Sequence, residues 1–200
     1  MKDVNLNAYV LLTNFFWGDI IWEMGSEKMK TRKMVMSAVF AALTFVATMV
    51  IQIRLTANGF VNIGDCMVVI CGIFLGPFYG VLAAGIGSML ADIISGYFIY
   101  APATFVIKSL MAFLVSKIYK NNNTVAVIIA SFVAEIVMVT GYFLYEFVII
   151  GLPSAILGMP GNLLQAGFGV VGSIVLYIAL SKNKYIKNQI NYWQKSKKMS

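Results

Sequence analysis

Four ionisable residues stand inside long apolar segments of this sequence and are the first candidates for chemistry. They are Asp92, Lys108, Glu135 and Glu146. A charged group in apolar surroundings is costly, so by default it indicates a ligand site or a partner of opposite charge. The chain has no histidine, and both of its cysteines lie in one apolar run. No nucleophile–base pair is apparent, so the sequence predicts a binding protein without metal or cofactor rather than an enzyme.

Asp92 and Lys108 lie near the facing ends of two consecutive apolar segments. An antiparallel pair of helices would place them at similar depth, where an ion pair would lock the two helices together. In a second interpretation, Lys108 or the pair faces an outward pocket and holds a polar ligand; both can hold at once. Asp65 opens the preceding apolar run and is interpreted as a helix cap. Glu135 is expected in mid-segment, either protonated or paired across the bundle.

Aromatic and amide side chains gather at the same end of the predicted helices. Tyr142 and Glu146 are four residues apart and share one helix face, where they offer a ring for stacking and a carboxylate acceptor. Asn162 and Gln165 open the last apolar run and supply neutral hydrogen-bonding groups. Amides, tyrosines and a few charges at one level suit a small polar aromatic ligand. The residues predicted to bind the substrate are Asn58, Asn62, Asp92, Tyr100, Lys108, Tyr142, Glu146, Asn162 and Gln165.

The composition indicates the solvent in which these segments fold. Hydrophobic residues make up 60% of the chain and charged residues 12%. A soluble domain carries about 25% charged residues, so this chain cannot cover a water-facing surface, whereas a bilayer tolerates it. Each span needs about 20 apolar residues. The predicted fold class is therefore an all-α integral membrane protein.

Six transmembrane helices are predicted from the apolar runs and their breaks. The turn signal at 76–80, Gly-Pro-Phe-Tyr-Gly, divides the long run from Cys66 into a short second span and a third span. The remaining spans are predicted at 34–53, 104–116, 124–148 and 161–180. The outer connections are predicted at 54–64, 95–103 and 150–160.

Basic residues set the orientation of this bundle. Clusters at 28–33, 117–120 and 182–198 fall on one side of the membrane only if the chain breaks at 76–80. Because cytoplasmic flanks are rich in Lys and Arg, both termini are predicted to be cytoplasmic, and nucleic-acid binding is not expected. Residues 1–28 are interpreted as an N-terminal extension or an interfacial segment, 29–182 as the membrane domain, and 183–200 as a basic cytoplasmic tail.

Several ordered segments resemble the substrate-binding S components of energy-coupling factor (ECF) transporters. These are 62–65 (NIGD), 76–80 (GPFYG), 87–92 (GSMLAD), 96–104 (GYFIYAPAT) and 160–165 (PGNLLQ). The resemblance covers roughly residues 30–182 and is closest to the hydroxymethylpyrimidine/pyridoxine type. It implies a six-helix subunit that captures a vitamin with high affinity in the plasma membrane of a prokaryote. Residues 1–28 have no counterpart in that pattern.

The resemblance also implies partners. S components associate with a transmembrane coupling subunit and two cytoplasmic ATP-binding cassette ATPases. The family's docking pattern, Ala-x-x-x-Ala in the first helix, matches Ala38 and Ala42, and its gating loop matches about 54–64. The chain has no G-x-x-x-x-G-K-[ST] motif and is not expected to power transport alone.

The residues by themselves leave alternatives open. The chain is alternatively a stand-alone secondary transporter of a small metabolite, or a structural or intramembrane protein without a small ligand. Small residues four apart, such as Ala38 and Ala42, also suit packing inside the bundle rather than docking of a partner. The predicted site suits pyridoxine, a pyrimidine or another ring compound equally well.

Overall fold

The computed structural model describes residues 31–50, 52–56, 59–119 and 123–183. Side-chain placement within the two strands is described for Gln52 and Asn62 alone. The described residues from 37 to 183 belong to one compact unit, and the start of the first helix, 31–36, belongs to the preceding unit. The predicted extension 1–28 and tail residues 184–200 lie outside the described residues.

Five helices in the described part of the chain are long and apolar enough to cross a membrane. They are α1 (Thr31–Val50), α2 (Gly64–Ile94), α3 (Ala101–Ile118), α4 (Thr124–Ile149) and α5 (Leu152–Ser181). Large apolar side chains such as Val106, Ile136 and Val171 are more than 60% exposed, as expected for a surface that faces lipid. The prediction of a helical membrane protein is confirmed.

Helix α2 contains the break predicted from the Gly-Pro sequence. Gly76 has φ 77° and ψ −167°, a conformation that is essentially restricted to glycine, and Pro77 follows it. The arms on either side, 64–75 and 77–94, lie against each other, because a Cβ on Gly80 would be 2.5 Å from the Cys71 carbonyl oxygen. In a straight helix residues 71 and 80 would be about 13 Å apart. The chain therefore reverses direction at Gly76.

A β-hairpin connects α1 to α2, where the sequence predicted a loop. Strand β1 (Gln52–Thr56) pairs antiparallel with β2 (Gly59–Asn62), and Gln52 is opposite Asn62. The Gln52 side chain donates a hydrogen bond to Ser95 Oγ at 2.9 Å. The hairpin is the one departure from the predicted all-α class among the described residues, and it is tied to the end of α2.

Helices α3 and α5 begin earlier than predicted. Helix α5 begins at Leu152 and α3 at Ala101, so most of the predicted connection 150–160 and the last three residues of the predicted connection 95–103 are helical. The prediction was wrong because Pro153 and Pro102 were interpreted as loop residues, whereas both occupy the first helical turn, where proline is tolerated. Pro160 lies inside α5, as membrane helices permit.

Helices α4 and α5 pack antiparallel, as three contacts along their length show. Ser131 and Ser173 hydroxyls are 2.8 Å apart, and Met138 Sδ lies 4.0 Å from Gln165 Nε2. Nearer the connection, a carboxylate oxygen of Glu146 lies against Gly158. This register places Glu146 and Gln165, two of the predicted site residues, at the interface of α4 and α5.

Candidate functional site

A buried ion pair between Lys108 and Asp65 forms the centre of the site. The two side chains are 3% and 1% exposed, and Lys108 Nζ donates directly to Asp65 Oδ1. The predicted pair of Lys108 with Asp92 is therefore not the one that forms. Asp65 does not cap α2, since the N-cap residue is Ile63 and has no side-chain cap bond. Because the chain reverses direction at Gly76, Asp65 and Asp92 each lie on an arm of α2 at the end that is far from Gly76. Lys108 is therefore near both carboxylates, and it pairs with Asp65.

Gln165 connects this ion pair to the β-hairpin. Its Nε2 donates to Asp65 Oδ2 at 2.7 Å, and its Oε1 lies 3.3 Å from the Asn62 backbone nitrogen and 3.4 Å from Asn62 Nδ2, both donors. Asn62 Oδ1 in turn accepts a hydrogen bond from Gly64 N at 2.8 Å. The end of the hairpin, the start of α2 and the N-terminal half of α5 are thus held by one network of charge-assisted and neutral hydrogen bonds.

Tyr142 and Thr104 extend the network from Lys108 towards Asp92. Lys108 Nζ lies 5.4 Å from the centroid of the Tyr142 ring, within the range of a cation–π contact. The Tyr142 and Thr104 hydroxyls are 2.9 Å apart. Asp92 is 6% exposed and lies close to Thr104 and Lys108. Asp92 therefore belongs to the same cluster, although Lys108 pairs with another carboxylate.

Glu146 and three tyrosines form a second cluster, and Glu146 lies one helical turn from Tyr142 on α4. Tyr100 Oη donates to Glu146 Oε1 at 3.2 Å, and its ring lies 6.4 Å from that of Tyr97 and 5.7 Å from that of Tyr145. Burial, with a further contribution from Glu146, raises the pKa of Tyr100, so its hydroxyl stays protonated as a donor. Glu146 is 5% exposed, and its Oε2 has no hydrogen-bond partner among the described residues. That oxygen is fully buried and lies against Gly158.

The structure brings four of the nine predicted substrate residues into this network: Asn62, Lys108, Tyr142 and Gln165. Asp92 lies close to it, and Tyr100 pairs with Glu146 in the second cluster. Asn162 lies one turn before Gln165 on α5 and is half-buried, and Asn58 lies outside the described residues. Asp65 was missed as a network residue, although its position directly after a polar stretch and ahead of an apolar run was the available signal.

The predicted docking residues lie on the outside of α1. Phe40, Thr44 and Thr48 are buried and face the bundle, whereas Ala38 and Ala42 are exposed on the opposite side. Packing inside the bundle, the competing interpretation of this spacing, is wrong for these two alanines. A small-residue strip on an exposed helix face allows another helix to approach closely in lipid.

Comparisons with known proteins agree with this architecture. A family model described as an ECF-type riboflavin transporter, S component, matches residues 28–182. A solved structure of the S component of a bacterial ECF transporter superposes with a TM-score of 0.65 at 18% identity, over 76% of this chain and 97% of that one. A Pyrococcus woesei protein, described as an uncharacterized protein in gap 3'region, is 34% identical over 128 residues, 63% of this chain and 86% of its own length.

The structure defines the class of this chain as a helical membrane protein with a buried polar network beside a β-hairpin. The family model identifies the chain more specifically than this class does, and it matches residues 28–182, most of the chain. The chain belongs to the S component family of ECF-type transporters. S components are substrate-capture subunits that work with a transmembrane coupling subunit and ATPases, and they are not an enzyme family.

Proposed function

We propose that this chain captures a ring-containing vitamin for an ECF-type importer, with riboflavin as the first candidate. The observation that carries the proposal is the continuous network from Asn62 through Gln165, Asp65 and Lys108 to Tyr142. Such a network offers donors, acceptors and a ring at one level, as a small polar aromatic ligand requires. The description of the matched family favours a flavin over the pyridoxine or hydroxymethylpyrimidine that the sequence segments suggested.

The transmembrane arrangement is part of the proposal. Six spans result if the two arms of α2 count separately, and the reversal at Gly76 supports that count. With six spans, the basic clusters share one side and both termini are cytoplasmic. The hairpin, the 95–100 connection and the 150–151 connection then face the outside of the plasma membrane of a prokaryotic cell. The polar network lies on this outer side, where a vitamin arrives.

The mechanism follows from these positions. The ligand enters from outside, and the hairpin 52–62 covers it, held at its base by the hydrogen bonds between Asn62 and Gln165. The coupling subunit docks on the strip of Ala38 and Ala42. ATP hydrolysis in the two partner ATPases then tilts the loaded bundle so that its ligand faces the cytoplasm.

Thermal stabilisation of the detergent-purified chain tests the ligand. At a hundred times its dissociation constant, a ligand of the native state adds about 2.7 kcal/mol to the free energy of unfolding. Riboflavin, pyridoxine and hydroxymethylpyrimidine are compared in parallel. Gln165→Leu should abolish the shift, while Leu157→Ala, at an exposed position of the same helix, should keep it. A folded protein that none of the ring vitamins stabilises would refute vitamin capture.

The docking strip is tested separately from ligand binding. Ala42→Trp should abolish uptake by cells that carry the coupling subunit and ATPases, because the bulky ring prevents close helix approach, and it should leave vitamin binding intact. Leu43→Trp places the same ring at the neighbouring exposed position and is the control. Loss of binding in Ala42→Trp would contradict this division of roles. Vitamin uptake without any coupling subunit would favour a stand-alone transporter instead.

A further inference from the structure

The carboxyl group of Glu135 lies inside the bundle, where α4 packs against α5. A Cβ added to Gly169 of α5 would be 2.6 Å from the carboxyl carbon of Glu135 and 3.2 Å from the Cβ of Asp65 on α2. Glu135 is therefore packed against the backbone of α5, next to one member of the central ion pair. The residue is only 3% exposed, and neither of its carboxyl oxygens has a hydrogen-bond partner among the described residues.

The charged and titratable groups around Glu135 come from α2, α3 and α4 itself. They are Asp65 and Cys66 on α2, Lys108 on α3 and, two turns further along α4, Tyr142. Helix α5 presents Gly169 at this point, and its one titratable residue, Tyr177, lies about 12 Å further along the helix. Asp92 adds a third carboxyl group near Lys108. Carboxyl groups therefore outnumber cations here, and the lysine that the described residues place among them is already paired with Asp65.

Asp65 and Glu135 differ in how well their surroundings support a negative charge. Asp65 accepts one hydrogen bond on each carboxylate oxygen, from Lys108 Nζ and from Gln165 Nε2, whereas Glu135 accepts none from the described residues. Hydrogen bonds to the charged form of a carboxyl group favour ionisation, and burial without them disfavours it. Glu135 is also near the middle of the 26-residue helix α4, where an unpaired charge in a membrane is most costly. Of these two carboxyl groups, Glu135 is therefore the one suited to hold a proton.

We propose that Glu135 is a proton-binding site whose occupancy controls the β-hairpin. With the proton bound, Glu135 is neutral and Lys108 stays paired with Asp65. The hydrogen bonds from Gln165 to Asp65 and to Asn62 then hold the hairpin on α5. When the proton leaves, two buried carboxylates face one lysine, and separation of the hairpin from α5 lets water reach them. Opening of the hairpin is thus linked to the release of one proton, so it becomes more favourable as the pH rises.

Amide hydrogen exchange at Asn62, followed on the ligand-free chain in nanodiscs, tests this proposal. The Asn62 backbone nitrogen lies 3.3 Å from Gln165 Oε1, so the protection of this amide relative to its intrinsic exchange rate reports opening of the hairpin. Linkage to one proton raises the equilibrium constant for opening by up to about tenfold per pH unit. In the native chain, protection should fall with this slope between about pH 5 and pH 8. In Glu135→Gln, which is neutral at every pH, the slope should be absent.

Two variants are the controls for this slope. Glu135→Asp keeps a carboxyl group at the position and should retain the slope. Glu146→Gln removes a buried carboxyl group from the second cluster and should retain it too. If Glu135→Gln does not fold, Glu135→Met supplies a second neutral side chain of similar length.

Infrared spectroscopy locates the proton itself. The carbonyl stretching band of a protonated carboxyl group should be present in the native chain at neutral pH and reduced in Glu135→Gln. Identical carboxylic-acid bands in the two chains would overturn the proposal. A native chain without the pH slope, or equal slopes in the native chain and Glu135→Gln, would overturn it as well. None of these measurements uses a vitamin, so failure of the proton site and failure of the proposed vitamin capture are distinguishable.

Discussion

The burial of the ion pair between Lys108 and Asp65 predicts how much stability is lost when one of the two charges is removed. Both side chains are almost fully buried, so neutralising one of them strands the other without a counter-charge. Breaking a buried pair in this way costs about 3–5 kcal/mol. Coulomb attraction at about 4 Å and an effective dielectric constant near 20 gives about 4 kcal/mol, which is the same range. We expect Asp65→Asn and Lys108→Met each to lower the free energy of unfolding by about this amount.

Comparison of the double variant with the two single variants tests whether the loss comes from a stranded charge. Asp65→Asn with Lys108→Met contains neither charge, so it should recover at least half of the loss that either single variant shows. A buried pair is often replaced by neutral groups at little cost, whereas a stranded charge is not tolerated. With single losses of about 3–5 kcal/mol each and a double loss of at most half of one of them, the coupling energy of the cycle should be at least about 4.5 kcal/mol in magnitude.

Reversible unfolding in detergent, followed by helical circular dichroism, measures these differences. For a chain of this size a loss of about 3 kcal/mol corresponds to roughly 6–12 °C in Tm. Glu135→Gln is the matched control, since it also removes a buried carboxylate but breaks no described hydrogen bond. Single variants within about 0.5 kcal/mol of the native chain, or a double variant with the two losses simply added, would refute the reasoning.

Four further variants test other contacts, three by the same unfolding assay and one by amide hydrogen exchange. Gly76→Ala should lower stability by about 1–3 kcal/mol, because only glycine adopts φ 77° with ψ −167° at low cost; an unchanged Tm would contradict the break. Gly169→Ala should lower the free energy of unfolding by about 1–3 kcal/mol, since its Cβ would lie 2.6 Å from the buried carboxyl carbon of Glu135. Gly167→Ala is the control and should be neutral or stabilising, because nothing lies within 4 Å of a Cβ at that position. Equal losses of stability in Gly169→Ala and Gly167→Ala would be evidence against the close contact between Gly169 and Glu135. Gln165→Leu should speed amide hydrogen exchange at Asn62 by about tenfold through loss of its acceptor, and unchanged exchange would mean that the hairpin is held elsewhere.

The sequence by itself was sufficient for the membrane class and for the break in α2. Composition excludes a water-facing surface, and the Gly76-Pro77 step carries its own backbone restriction, so both follow from local chemistry. The spacing of Ala38 and Ala42 also places them on one helix face whatever packs around them, although their role in docking stays a prediction. None of these conclusions depends on which helices become neighbours.

Only the tertiary structure decided the partners of the buried charges. Sequence spacing favoured Asp92 as the partner of Lys108, because reasoning along the chain compares consecutive helices. Asp65 lies more than forty residues from Lys108 and reaches it through the reversal at Gly76. Gln165 joins the same network from a hundred residues away. Hydrogen-bond partners at such separations are set by how helices pack, and periodicity within one helix carries no information about that arrangement.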